Sequence, residues 1–394
     1  MKKIALSLIV ITTFAGGCSS GKHSKEGLPI IDLTNNYPEK EIFLTDIADV
    51  TYLYLNSDDD DYLHNGRIRC ITESTIVVYD GYSNSFLFFS KDGNPKSRFN
   101  RWGQGPEDYF NAFNLIYDEV ADELFVNGIG ESIIQVYSST GVYKRKITLP
   151  QGMAAELIDF DENSLFFYDY NIGNRKALAL LRGEDIPADD DHIVPFYRIS
   201  KTDGGVLDYV ELPGTHLLLG TNVDGRWLNL PQRYAVKCSE GVLLCIAGTD
   251  TVFLYSGDKL LTPVLYQTPS VVSSNPMQVL NNCIDRGQYQ FFQVNTIHER
   301  VTTQDIFPIK CYLRNKITGE IVHPKLLLPD YNGKEFVINP ARVGDYENGY
   351  YFELGLSELK QAYRENKLGG KLKELVATLN EDEDNNVFML VNFK

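Results

Sequence analysis

Residues 74–93 read STIVVYDGYSNSFLFFSKDG, and residues 122–141 read DELFVNGIGESIIQVYSSTG. Each stretch holds two short runs of β-branched and aromatic residues and ends on a glycine. Runs of this kind, bounded by Gly, Asn and Asp, predict β-hairpins. The two stretches align with an offset of 48 residues, which places Ile76 opposite Leu124. The sequence therefore contains an internal repeat of paired hairpins.

The same offset relates Phe99 to Ile147, and a third unit of similar pattern starts at Leu165. A period of about 40 to 50 residues with about four strands per unit is typical of β-propeller blades. One four-stranded sheet cannot bury both of its faces, whereas blades stacked in a ring bury them against their neighbours. We therefore predict an all-β propeller of about six to eight blades. Long loops at 182–192 and 269–290 favour the lower number.

Helical periodicity appears only near the carboxyl end. Apolar residues in 357–379 recur at helical spacing, and Ser357 is the expected N-cap. The pair Gly369-Gly370 predicts a break into two short helices. The run VFMLVNF (387–393) then predicts a last strand. We expect a short helical insertion before this last strand of the propeller.

The amino terminus carries an export signal. Lys2 and Lys3 precede an apolar stretch over residues 4–14, and small residues lead directly into Cys18. This layout predicts a lipoprotein signal peptide over residues 1–17, with Cys18 lipid-modified after cleavage. An ordinary secretory signal with an incidental cysteine is the alternative. Because no later stretch approaches about eighteen apolar residues, the lipid is the only membrane anchor that we predict.

The rest of the chain divides into a tether over residues 18–28 and a single β-propeller domain over residues 29–394. A ring that ends on a strand needs a partner from the start of the chain, and PIIDL (29–33) is the candidate. The tether contains one acid, Glu26, rather than an acidic tract. This favours the periplasmic face of the outer membrane over the cell surface.

The composition excludes some classes of partner. The formal net charge is −16, and an acidic surface repels nucleic-acid phosphate. We therefore expect no binding to nucleic acid. An odd number of cysteines follows Cys18 in a long chain, which argues against a disulfide scaffold and favours buried free thiols, with one unassigned bridge in an oxidising envelope as the alternative. These cysteines are Cys70, Cys238, Cys245, Cys283 and Cys311.

Five segments together resemble a known family. They are IFLTDIADVTYLYL (42–55), KDG…GQGPEDY (91–109), TDTVFLY (249–255), LTP (261–263) and DNNVFML (384–390). The chain resembles the six-bladed β-propeller lipoproteins of Bacteroides-type bacteria, a largely uncharacterised group related to NHL-like and TolB-like propellers. The resemblance implies six blades and a place in the cell envelope, and it brings no catalytic residues with it. The family pattern has Gly where this chain has Glu107, which puts the form of that turn in doubt.

Residues 101–110, RWGQGPEDYF, present two chemical possibilities that fail on inspection. Gly-x-Gly suggests a phosphate cradle, but a dinucleotide fingerprint needs a third glycine where the chain has Asp108. Glu107 and Asp108 suggest an acid/base pair, but adjacent residues on a strand point to opposite sides and cannot flank one bond. The segment is therefore predicted to have a structural role rather than a phosphate-binding or catalytic one.

We interpret the segment as a corner between two blades, with its glycines at positive φ and Tyr109 packed beneath. Arg101 and Trp102 are candidate ligand-binding residues on this corner. Trp227 lies in the turn-like run DGRWLNLPQRY (224–234) and is the third candidate, as an exposed aromatic.

Acidic clusters give weak metal signals. Asp159-x-Asp161-x-Asn163 begins like a calcium loop, but Ser164 and Tyr170 replace the required Gly and Glu. We interpret this run as a solvated hairpin turn. The histidines form no H-E-x-x-H motif, and the sequence lacks G-x-S-x-G. We predict no metal, no cofactor and no catalytic residue.

Two functions are compatible with these patterns. The first is a non-catalytic, monomeric lipoprotein that presents one propeller face to a glycan, a peptide or a partner envelope protein. The second is an envelope polysaccharide lyase or hydrolase with its site at the propeller channel. A propeller fold by itself decides neither. Because no catalytic motif is present, we favour the binding protein.

Overall fold

The computed structural model describes residues 27–57, 60–110, 112, 114–128, 131–150, 152–169, 193–212, 219–223, 226–246, 249–298, 305–339 and 349–394. These residues form 28 strands and three α-helices. The amino-terminal elements are β1 (Ile30–Asp32), β2 (Glu39–Phe43), α1 (Leu44–Ile47) and β3 (Ala48–Tyr54). Within the described ranges, no helix is long and apolar enough to span a bilayer.

Three four-stranded antiparallel sheets follow, which we name blades 1 to 3. Blade 1 consists of β4 (Arg67–Ile71), β5 (Thr75–Asp80), β6 (Ser85–Ser90) and β7 (Pro95–Phe99). Blade 2 consists of β8 (Asn114–Asp118), β9 (Glu123–Asn127), β10 (Ile133–Tyr137) and β11 (Tyr143–Thr148). Blade 3 consists of β12 (Ala155–Phe160), β13 (Ser164–Asp169), β14 (Ile193–Ser200) and β15 (Val206–Leu212).

A separate hairpin, β16 (Gly220–Val223) and β17 (Arg226–Asn229), precedes the second half of the ring. Blade 4 consists of β18 (Ala235–Cys238), β19 (Gly241–Leu244), β20 (Thr251–Ser256) and β21 (Leu261–Thr268). Blade 5 consists of β22 (Met277–Arg286), β23 (Tyr289–Ile297), β24 (Ile309–Asn315) and β25 (Ile321–Leu328), with β26 (Tyr331–Phe336) paired to β25. The prediction of a long loop over residues 269–290 is therefore wrong, because this segment contains β22.

Blade 6 closes the ring with strands from both ends of the chain. It consists of β27 (Gly349–Leu354), β28 (Val387–Phe393) and the amino-terminal β3, with α2 (Leu356–Arg364) and α3 (Gly370–Thr378) between β27 and β28. The central strand β28 pairs antiparallel with both neighbours. The last strand and the helical insertion before it are confirmed.

The segment PIIDL (29–33), which was expected to close the ring, does not pair with the last strand. It contains β1, which runs parallel to β21 on the outer side of blade 4. The next strand, β2, runs parallel to β25 on the outer side of blade 5. The amino-terminal segment therefore passes over blades 4 and 5 as a fifth strand of each before β3 completes blade 6. We call β1 and β2 the outer strap.

Hydrophobic clusters fill the interfaces between adjacent blades. Phe86 and Phe88 of blade 1 pack with Tyr117 of blade 2, for example, and Phe89 of blade 1 packs with Phe388 of blade 6. Equivalent clusters join the remaining neighbours around the ring. The first strands of blades 1 to 5 contact each other in succession, which places them around the centre of the ring. This is the burial that the repeat predicts.

Gly93, Gly141 and Gly204 occupy the same place in blades 1, 2 and 3, in the turn before the fourth strand. Their φ angles are +83°, +80° and +78°. A Cβ atom at each position would overlap the last strand of the preceding blade. For Gly93 that strand is β3 of blade 6. The repeated glycine therefore serves both the turn and the close packing of blades.

The carboxyl-terminal helices are separated at Gly369-Gly370, as expected, and Gly370 has a φ of +49°. The expected N-cap, Ser357, is wrong, because α2 begins one residue earlier and Gly355 occupies the cap position. The backbone N–H of Leu356 donates to Asn386 Oδ1 instead, so a distant side chain performs the capping.

The prediction of free thiols is confirmed. Four of the cysteines in the described residues are buried, Cys311 is half-buried, and none of the five forms a disulfide. Burial raises the pKa of the Cys245 thiol to about 12, which keeps it protonated and unreactive.

Candidate functional site

The segment RWGQGPEDYF connects β7 of blade 1 to β8 of blade 2, so the prediction of a blade-to-blade corner is confirmed. Tyr109 is buried beneath it. The Tyr109 hydroxyl donates to the carbonyl of Asn84 at 2.6 Å and accepts from the N–H of Arg101 at 3.2 Å. On the blade 2 side, the hydroxyl of Tyr137 donates to the carbonyl of Glu107 at 2.8 Å. The corner is thus fixed to both blades.

The expected positive φ at the corner glycines is wrong. Neither Gly103 nor Gly105 is among the glycines with positive φ. Their role is close approach, because a Cβ atom at Gly105 would lie 2.7 Å from Asp108 Oδ2 and one at Gly103 would overlap the same atom. The N–H of Gly105 donates to Asp108 Oδ2 at 2.9 Å. The Asp108 carboxylate therefore folds back onto its own loop and holds its shape.

Trp102 is half exposed, with 50 % of its surface accessible, and it stacks against Phe110, which is 48 % accessible. The ring centroids are 6.0 Å apart and the planes are inclined by 20°. The indole N–H donates to the carbonyl of Phe110 at 2.8 Å. The indole ring is thus held in place while half of its surface faces solvent.

A third exposed aromatic residue lies in a turn that is hydrogen-bonded to the corner. Tyr82 is 86 % accessible and lies in the turn between β5 and β6. The carbonyl of the next residue, Ser83, accepts from Asn100 Nδ2 at 2.6 Å, and Asn100 Oδ1 accepts from the N–H of Trp102 at 2.8 Å. The turn and the corner are therefore joined. We call Tyr82, Trp102 and Phe110 the aromatic patch.

Sequence reasoning identified Trp102 but missed Tyr82 and Phe110. A signal for Tyr82 was present, because it lies in the turn-forming run GYSN (81–84), where a large ring has no sheet to pack against. Phe110 carried no such signal, since the neighbouring Tyr109 has a similar pattern and is buried.

Arg101 lies next to Trp102, but its guanidinium group is already engaged. Nε donates to the carbonyl of Gly141 in blade 2 at 2.9 Å, and Nη1 lies 3.4 Å from the Glu107 carboxylate. Arg101 therefore joins the corner to the turn of blade 2.

The other candidates are not brought to this surface. Trp227 lies on β17, opposite Asn222 of β16, in the hairpin between blades 3 and 4. Cys18 lies outside the described residues, so its lipidation stays a prediction. Asp161, from the calcium-like run, accepts hydrogen bonds from the N–H groups of Asn163 and Ser164. The predicted hairpin turn is therefore confirmed there.

Across the parts of the chain that the structure describes, no group of three or more His, Cys, Asp or Glu side chains could hold a metal ion. The only carboxylates on the corner, Glu107 and Asp108, have the structural contacts given above. The chemistry that this surface offers is stacking on exposed rings, with polar groups at its edge.

The position of the patch follows from the strand order. In an antiparallel meander, successive connections lie at alternate ends of the sheet. The turn at 81–84 and the corner to the next blade therefore share one end of blade 1, and the short turns at 72–74 and 91–94 share the other. Binding residues are concentrated on such loops.

A family model described as a 6-bladed beta-propeller matches residues 19–186. The chain is a six-bladed β-propeller. The match begins before β1 and ends after β13. The sheets of the structure show the remaining blades, which bring the total to six. The predicted resemblance to six-bladed β-propeller proteins and the predicted blade number are both confirmed. Glu107 stands where the family pattern has Gly, and its carbonyl accepts a hydrogen bond from the Tyr137 hydroxyl.

Solved structures of two Bacteroides proteins match most of the chain. A protein from Bacteroides fragilis, described as exported, is 14 % identical and superimposes with a TM-score of 0.60 over 93 % of this chain and 99 % of its own. A member of the DUF4221 family from Bacteroides vulgatus is 10 % identical, with a TM-score of 0.47 over 88 % of this chain and 97 % of its own. At 14 % identity, the likeness to the Bacteroides fragilis protein shows the fold alone. No curated protein matches the sequence.

Proposed function

We propose that this propeller is a cell-envelope lipoprotein that binds a glycan at the aromatic patch. The observation that carries the proposal is the exposure of Tyr82, Trp102 and Phe110 on one surface that hydrogen bonds hold in place. The apolar C–H face of a sugar ring stacks on such rings, and a preformed surface loses little entropy on binding.

The edge of the patch supplies polar groups. The Glu107 carboxylate and the Asn100 side chain lie on the same corner as Trp102, and both are largely exposed. Sugar hydroxyls both donate and accept hydrogen bonds, so a carboxylate and an amide suit them. The combination of stacking rings and a few polar groups is typical of small-ligand sites.

The proposed location rests on the first eighteen residues. A short basic region, an apolar stretch and small residues before Cys18 have the order of a lipoprotein signal. The exported description of the related propeller from Bacteroides fragilis supports the same compartment. We propose the outer membrane, with the periplasmic face favoured, because the tether has a single acid.

The test of binding uses the mature chain on a glycan array, followed by calorimetry with the best sugar. Trp102→Ala and Tyr82→Ala are each expected to weaken binding about tenfold, which corresponds to about 1.4 kcal/mol. Tyr209→Ala removes another exposed tyrosine, from β15 of blade 3, and is expected to bind normally. Normal binding by both patch variants would contradict the proposal.

The same sugars decide between a binding protein and the alternative polysaccharide lyase or hydrolase. We expect no new reducing ends and no unsaturated products after prolonged incubation with the protein. Product formation that a single carboxylate variant abolishes would establish an enzyme instead.

A further inference from the structure

Two arginines on the innermost strand of blade 1 have an unusual environment. Arg67 and Arg69 both lie on β4, and the pairing of β4 with β5 shifts register between Ile68 and Cys70. Arg69 is therefore the bulged residue, a position that redirects a side chain. Arg67 is exposed and Arg69 is half-buried. Both lie on the strand that borders the centre of the ring.

Arg69 has few contacts for a guanidinium group. Its carbon Cζ lies 5.9 Å from the centre of the Tyr79 ring, and its Nε is buried with no hydrogen-bond partner. Among the described residues, neither Arg67 nor Arg69 forms an ion pair, whereas Arg145 and Arg198 each pair with a carboxylate. The chain has 53 acidic and 37 basic residues, so the lack of an ion pair at these two arginines does not reflect a shortage of carboxylates.

An unpaired guanidinium in a partly buried place is costly, because burial removes water without supplying a counter-charge. Burial lowers the pKa of Arg69 and the nearby positive charge of Arg67 lowers it further, against opposing effects of Tyr351 and Tyr79. A bound anion would supply the counter-charge that burial makes necessary. The guanidinium fork suits carboxylate, sulfate and phosphate groups, with which it forms paired, charge-assisted hydrogen bonds.

This arginine pair lies at the same end of blade 1 as the aromatic patch. Arg67 is paired with Tyr79, two residues before the turn that contains Tyr82. The Tyr79 hydroxyl donates to Asn84 Oδ1 at 3.1 Å, and the carbonyl of Asn84 accepts from Tyr109 of the corner. A continuous set of contacts therefore joins the two places.

We propose that Arg67 and Arg69 form an oxyanion site that binds an acidic group of the ligand, so that the glycan carries an acidic sugar. The inference of an acidic sugar rests on the proposed glycan function, whereas the oxyanion site does not depend on it. The net charge of −16 disfavours a dense polyanion, which favours isolated acidic groups on an otherwise neutral chain.

The test measures the thermal midpoint of the full mature chain with glucuronate up to about 100 mM, against glucose with NaCl at equal ionic strength. Wild type is expected to gain a few degrees from glucuronate, and Arg69→Gln and Arg67→Gln are expected to lose that gain. Arg98→Gln is the matched control, because Arg98 lies on the outer strand of the same blade and pairs with Asp61. Equal gains in wild type and Arg69→Gln would overturn the inference.

Glucose 6-sulfate and glucose 6-phosphate distinguish the possible sources of the oxyanion. The source that fits best is expected to give the largest gain that depends on Arg69. Equal gains from all three anions, independent of both arginines, would indicate only a general salt effect and would overturn the site.

A second variant separates binding from a structural role. Arg69→Met removes the unpaired charge and keeps an apolar contact with Tyr79. Without anion, its midpoint is expected to equal or exceed that of wild type. A clear drop would show that Arg69 stabilises the fold by itself, which contradicts the proposal.

Trp102→Ala keeps the two proposals distinguishable. It is expected to retain the full glucuronate gain while losing glycan affinity. A retained anion effect with no glycan binding in any variant would overturn only the proposed glycan function. Glycan binding without an anion effect would overturn only the oxyanion site.

Discussion

His64 shows how burial sets the chemistry of one side chain. It lies between β3 and β4 and is 7 % exposed. Nδ1 accepts from the N–H of Gly66 at 3.0 Å, and Nε2 is buried with no hydrogen-bond partner. Burial lowers the pKa of His64 from 6.5 to about 4, against an opposing effect of Asp80. The neutral ring is therefore the form that the fold accepts.

This shift predicts a pH dependence of stability. Between about pH 6.5 and pH 4 the unfolded chain binds a proton at His64 that the folded chain does not, so stability falls as the pH drops. At pH 5 the loss is about 2 kcal/mol relative to pH 7.5. His64→Asn keeps an acceptor near Nδ1 and is expected to lack this loss in urea unfolding at the two pH values.

The exposed His298 provides the control for that experiment. His298→Asn is expected to follow the wild-type pH profile. An identical profile for His64→Asn and wild type would show that His64 does not carry the titration.

Among single residues, exposure was easier to predict than conformation. Trp102 directly precedes the glycine-rich turn of the corner, and its exposure followed from the absence of a sheet to cover it. The positive φ expected at Gly103 and Gly105 was wrong, because glycine also serves where another group must come close. The sequence does not show that the approaching group is Asp108, since that contact depends on the folded loop.

The turn before the fourth strand depends on glycine for two separable reasons. Gly93 has a φ of +83°, and a Cβ atom there would also overlap the carbonyl oxygen of Tyr54. Gly319, in the corresponding turn of blade 5, has a φ of +76° with nothing within 4 Å of its Cβ position. The second glycine therefore has the backbone constraint without the steric one.

We expect Gly319→Ala to cost about 1 kcal/mol of unfolding free energy, the price of a left-handed alanine. Gly93→Ala is expected to cost at least about 3 kcal/mol, because blades 6 and 1 must also move apart. Gly81→Ala has neither constraint and is expected to be nearly neutral. Urea unfolding of the three variants measures the order, and similar losses at Gly93 and Gly319 would contradict the packing role.

Elements set by local patterns were predicted well, and elements set by distant partners were not. The bounds of β28 and the break between α2 and α3 follow from residues within those segments. The start of α2 does not, because the group that caps it, Asn386, lies 30 residues away. The parallel pairing of β1 with β21 likewise depends on the assembled blade, so the pattern of PIIDL could not reveal it.

The ring as a whole depends on its closure. Removing the outer strap alone, in a chain of residues 44–394, is expected to leave one cooperative unfolding transition. Its stability should fall by at least about 3 kcal/mol relative to residues 27–394, because Ile31 is fully buried. Removing β3 as well, in residues 55–394, should abolish the cooperative transition, since β28 loses one of its two partners and becomes an exposed edge. Circular dichroism during urea unfolding compares the three chains.

If residues 55–394 unfold as cooperatively as residues 44–394, then β3 is dispensable and the ring does not need its amino-terminal strand. The intermediate chain controls for the loss of length and of buried surface in the strap.

Closure between distant strands has a consequence for the order of events in the cell. Tyr54 of β3 and Asp384, just before β28, touch although they are 330 residues apart in sequence. A chain that emerges amino end first therefore holds β3 without its partner until nearly all of the polypeptide has followed. During synthesis, therefore, the ring cannot close before its carboxyl-terminal strand has left the ribosome.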